Sequence, residues 1–233
     1  MALRKKYLFL IPLFFYILSN RFRIIPSLGF SEITSIAVLV VFGLLALYLI
    51  WTTLVNDFKT LTWASIWYFP SMLLVQLVVR YLIIFILILA TDKIPANIIQ
   101  NSTNQSSLQN FGASIAGQVL PNMLVFIWAA IIAPLMENLF FIYVIQGIVL
   151  KKLIRSVKYG ALIRIVIVAI LFCLWHVQSV SDLNNPFFYQ YLSLGWLAYI
   201  YEQTGNFVKT WIAHMGMNMI PMVAELLISG VIF

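Results

Sequence analysis

Four residues of this chain can move protons or donate hydrogen bonds, and all four stand inside otherwise apolar segments: Glu137, His176, His214 and Asn218. His214 and Asn218 belong to the run His214-Met215-Gly216-Met217-Asn218, and a spacing of four puts both on one helix face. A carboxylate can accept a proton from water. An imidazole can relay protons or bind metal, and a carboxamide can donate to a developing oxyanion. Polar groups at bilayer depth are disfavoured unless partnered or employed in function. Gathered together, these four would activate water inside a membrane.

The elements that must bring them together are membrane helices. The chain has 233 residues, 63% hydrophobic and 9% charged, against roughly 25% charged in a soluble domain. Too little polar surface remains to face water, so the expected fold is all-α, a polytopic transmembrane helical bundle filling residues 1–233 as a single integral membrane domain. Apolar segments run over 7–19, 33–55, 61–90, 119–150, 159–178, 187–201 and 207–231. At about 20 residues per crossing they predict about seven spans, with six or eight as the bounds.

The net charge of +7 does not point to nucleic acid, because the cations flank apolar segments at Arg4-Lys5-Lys6 and over 151–158. That is the pattern that holds loops on the cytoplasmic side, so the N-terminus is expected to be cytoplasmic. With seven spans, the Asn- and Ser-rich tract 91–118 then lies outside, as the main loop. No small-x-small site follows the first apolar run, which is expected to be an uncleaved span or anchor.

Glu137 follows Pro134 in a long apolar stretch, and proline removes a backbone donor, so a kinked or broken helix is expected there. Phe172 precedes His176 by one turn and would shield that imidazole from lipid. Arg80 and Arg164 are intramembrane cations that could partner Glu137.

On these residues the sequence resembles the CAAX-protease and bacteriocin-processing (Abi) family of intramembrane endopeptidases, whose motifs are Glu-Glu-x-x-x-Arg, Phe-x-x-x-His and His-x-x-x-Asn. Phe172 and His176 match the second motif, and His214 and Asn218 match the third. Ala133-Pro134 fits the flank of the first motif, and the stretch 194–206 fits the Gly-containing helix and Thr-Gly turn before the third. The first motif departs: Glu137 is its first Glu, but Asn138 stands for the second and Ile142 for the Arg. The two changes remove one negative and one positive charge together.

The resemblance covers about 119–220. It implies that Glu137 and His176 activate water and that His214 and Asn218 stabilise the tetrahedral oxyanion, with Asn138 and Phe172 supporting. Glu137, His176 and His214 could make a Glu/His₂ zinc set with one open position. Both a metal-dependent and a metal-free glutamate mechanism have been argued for the family, and no cofactor is fixed by the residues.

Two function classes follow. One is an endopeptidase acting on a membrane-associated peptide or protein, in peptide processing or bacteriocin self-immunity. The other is a non-catalytic scaffold, or a regulatory protein binding a membrane partner on the same fold, to which the altered first motif lends support. Each polar residue taken singly also fits an inter-helix hydrogen-bonding role. The expected location is the bacterial plasma membrane.

Overall fold

The computed structural model describes residues 7–92, 119–155 and 157–229, and every regular element among them is helical. The protein is a helical membrane bundle. The first apolar segment forms α1 (Leu10–Phe22) and a short α2 (Ile24–Ser27), and the second forms α3 (Glu32–Leu49) and α4 (Trp51–Phe58). A 3₁₀ turn, Trp63–Trp67, leads into α5 (Tyr68–Thr91). The fourth segment begins as α6 (Val119–Ile127), passes through α7 (Ala133–Asn138) and ends as α8 (Lys151–Leu153). Then come α9 (Gly160–Trp175), the 3₁₀ helix Pro186–Leu194, α10 (Gly195–Thr204) and α11 (Phe207–Ser229). Each of the seven predicted apolar segments contains helix among its described residues. Three helices among the described residues, Glu32–Leu49, Trp63–Thr91 and Met123–Leu153, are long and apolar enough to cross a bilayer unaided. Of the polar tract 91–118 predicted to be the outer loop, Thr91 ends α5, Asp92 caps it, and residues 93–118 lie outside the described residues.

Met123–Leu153 is the axis of the bundle: 67% of its most apolar window is buried, against 11% for Trp63–Thr91. Large apolar side chains such as Trp63, Tyr48 and Leu89 stand outward, as lipid-facing surface requires. The axial helix does not break at Pro134. It changes pitch instead, with π-helical turns over Trp128–Ile132 and Leu139–Leu150 on either side of α7. The first wide turn suits a proline, because a looser coil relieves the clash between its ring and the preceding carbonyls.

Two features seat α11. At Gly205 the backbone takes φ +63°, which glycine adopts without strain, and α10 ends there. The next helix is capped from α4: the Asp57 carboxylate accepts from Phe207 N at 2.7 Å, and Asn206 Nδ2 donates to Asp57 O at 3.0 Å and to Thr60 Oγ1 at 2.7 Å. Further along, α11 makes its most extensive contacts with α5. Any side chain at Gly216 would strike the Phe69 carbonyl.

Candidate active site

Glu137 and Asn138 close α7, the single α-helical stretch between the two π-helical ones. His176 caps the C-terminus of α9, and His214 and Asn218 stand about two and three turns into α11. Counted along straight helices from the basic loop, His176 and His214 would sit at different depths. The chain brings them together because α9 stops at Trp175 and α11 starts afresh after Gly205. Glu137, His176, His214 and Asn218 all line one cavity of about 550 Å³, together with Trp128, Trp175 and Tyr191.

Glu137 is held from two sides. Trp175 Nε1 donates to its Oε1 at 3.3 Å, and its Oε2 faces His214 Nε2 at 3.7 Å, which is too long for a direct hydrogen bond. His214 is 1% exposed. Its Nδ1 lies 3.0 Å from Asn138 Oδ1, and the Asn138 amide donates to Thr210 Oγ1 at 3.5 Å. Thr210 in turn donates to Phe207 O at 2.7 Å. His176 is fixed by a 2.9 Å bond between Nδ1 and the Phe172 carbonyl. A carbonyl only accepts, so Nδ1 carries the proton and Nε2 keeps its lone pair. Tyr191 stacks on the His176 ring at 4.3 Å. Phe172 does more than shield one imidazole: it lies against both rings, 5.9 Å from His176 and 5.7 Å from His214 between centroids.

Asn218 Nδ2 donates to Ala129 O at 2.8 Å. The wide turn explains this bond. Ala133 N donates to Trp128 O, five residues back, so the next carbonyl, Ala129 O, would look to residue 134, which is proline and has no N–H. Asn218 supplies the missing donor, and Trp211 Nε1 likewise donates to Ile131 O at 3.0 Å. One N–H of the Asn218 amide is thus committed to the fold, and its second remains.

Of the two arginines considered as partners for Glu137, Arg164 is taken by Glu202, with Nε and Nη2 both at 2.8 Å from the carboxylate. Arg80 lies over the Phe187 ring, 5.8 Å from its centroid. Ile142, at the place of the family's arginine, is fully buried in the apolar core. Among the described residues no three His, Cys, Asp or Glu side chains are grouped closely enough to hold a metal ion.

Sequence reasoning passed over Trp175, Tyr191, Thr210 and Trp128. Thr210 had a signal, since it precedes His214 by the same four residues that separate His214 from Asn218. Tyr16 of α1 adds another neighbour. It is buried beside Trp128 within electrostatic reach of Glu137, and neither its hydroxyl nor the Trp128 indole N–H has a protein hydrogen bond of normal geometry.

The fold and the site define a class: a helical membrane protein with one Glu, two His and one Asn gathered on a single cavity. Residues 119–220, which carry all four residues, match the family described as type II CAAX prenyl endopeptidase Rce1-like. No curated protein and no solved structure is significantly similar to the chain.

Proposed function

We propose that the protein is an intramembrane endopeptidase that hydrolyses a peptide bond of a membrane-associated peptide or protein. The observation that carries this reading is the convergence of Glu137, His176, His214 and Asn218 on one cavity inside the bundle. Amide hydrolysis needs an acceptor for a proton of water and donors for the oxyanion. Glu137 Oε2 is an acceptor turned into the site, because Oε1 is already engaged by Trp175. The unprotonated Nε2 of His176 is a second acceptor, suited to passing a proton on. The remaining N–H of Asn218 is a donor on the cavity wall.

In the reaction, water oxygen bonds to the carbonyl carbon as one of its protons moves to Glu137. The C–N bond then breaks as that proton reaches the leaving nitrogen. The products are a carboxylic acid, which keeps the water's other proton, and an amine. A membrane-associated peptide precursor in a bacterial plasma membrane, in peptide processing or self-immunity, is the substrate setting this reading carries.

The test compares peptides in native cells holding the wild type, Glu137→Gln or a full deletion, by mass spectrometry at matched membrane levels. Glu137→Gln and the deletion are expected to accumulate the same uncut precursor, with cleavage reduced by at least about 10²-fold in Glu137→Gln. An effect of the deletion alone would sink the peptidase reading and favour a scaffold.

A further inference from the structure

The resemblance gives His214 the part of an oxyanion donor. Its surroundings give it another. The Thr210 hydroxyl has one proton, spent on Phe207 O at 2.7 Å. Towards Asn138 it can therefore only accept, which makes the Asn138 group 3.5 Å away the NH₂ and turns Oδ1 towards His214. Oδ1 also only accepts, so His214 Nδ1, at 3.0 Å, carries its proton and Nε2 is bare. That bare nitrogen faces Glu137 Oε2 across 3.7 Å, and Oε2 is the carboxylate oxygen Trp175 leaves free.

Two acceptors so placed cannot bond each other directly. They can receive the two protons of one water seated at the apex, about 2.8 Å from each. The gap is shorter than twice that length, so one water spans it with its lone pairs directed away from both acceptors.

Resting on the peptidase reading above, we propose that Asn138 is a positioning residue that locks His214 in the Nδ1–H tautomer, so that His214 Nε2 and Glu137 together cradle the attacking water. In this assignment His214 accepts rather than donates. The water oxygen forms its bond to the carbonyl carbon while one proton passes to Glu137. The other proton stays hydrogen-bonded to His214 until the C–N bond breaks and the leaving nitrogen takes up the proton from Glu137. As an amide, Asn138 orients the ring without adding a charge.

The chain has two histidines, so ring-labelled ¹³C,¹⁵N-histidine in the full-length protein in lipid bilayers gives two ring systems. His176→Gln leaves His214 alone for assignment. At alkaline pH, where the rings are neutral, His214 is expected to show a protonated Nδ1 and an unprotonated Nε2. Asn138→Leu is expected to convert it to a mixture or to the Nε2–H form and to lower the cleavage rate at least tenfold with KM little changed. Asn138→Asp, which keeps an acceptor oxygen, should restore the Nδ1–H signature and part of the rate. If Asn138→Leu fails to accumulate, Thr210→Val removes the acceptor for the amide and is expected to mix the tautomers likewise. An Nε2–H signal in the wild type, or an unchanged Nδ1–H signal in Asn138→Leu, would overturn the proposal. The tautomer is read without substrate: an Nδ1–H His214 in a protein that cleaves nothing would overturn the peptidase reading and leave the positioning intact.

Discussion

At the residue scale the site rests on short contacts that fix which atom can do what. Trp175 shows this best, because its indole N–H holds one oxygen of Glu137 while its ring packs edge-on against Phe141. Trp175→Phe keeps an aromatic ring and removes the donor. The expected result is a cleavage rate lower by about tenfold, the equivalent of one hydrogen bond of about 1.4 kcal/mol, at an unchanged membrane level. An unchanged rate would show that Glu137 needs no such support. The four polar residues were legible in the sequence because charged and amide side chains are conspicuous in apolar segments. Trp175 and Tyr191 were not, since an aromatic in a membrane helix reads as packing until its neighbour is known. The paired replacements at 138 and 142 also make sense only in three dimensions. Ile142 points into apolar core, and Asn138 has taken a hydrogen-bonding task that needs no countercharge.

At the element scale the pitch of the axial helix positions the candidate site. The wide turn at Trp128–Ile132 frees the Ala129 carbonyl, and Asn218 is drawn to it. Pro134→Ala would restore an N–H that competes for the freed carbonyls. The expected outcome is a thermal midpoint in detergent equal to or above that of the wild type, with cleavage lower by about fivefold or more as Asn218 loses its anchor. Wild-type cleavage in this variant would separate the turn from the site. The sequence signalled a disturbance near Pro134 but not its form. A helix that is hydrophobic all round carries no face-to-face contrast from which a change in period could be read. The restart at Gly205 was better marked, by a glycine after a polar turn.

At the scale of the whole molecule, a second buried ionic contact lies away from the site. The Arg164–Glu202 pair joins α9 to α10 with side chains only 12% and 6% exposed, and Gln146 of the axial helix donates to the same carboxylate at 2.9 Å. Removing one partner of a buried pair leaves an uncompensated charge. Arg164→Met is therefore expected to destabilise the protein by about 3–5 kcal/mol, and Arg164→Met with Glu202→Met to recover most of that. Denaturant titration of the purified protein checks both; equal losses in the single and double variants would refute the pairing argument. The helical membrane class followed from composition alone. Which helix forms the axis did not, because the segments are all apolar and differ in burial rather than in hydrophobicity.

The capping of α11 by Asp57, and the contact of Arg21 with Trp175 at 5.7 Å from the ring centroid, come from helices that precede the family-matched stretch. The family-matched portion is thus not a portable module. A fragment beginning at residue 119 would lose the cap that starts the His214 helix, the α1 wall around Tyr16, and the Phe69 backbone on which Gly216 rests. Such a fragment is expected to accumulate poorly and to cleave nothing, while co-expression of residues 1–92 as a separate chain should recover part of both. Transplanting the candidate site between proteins would then require carrying the amino-terminal helices as its housing.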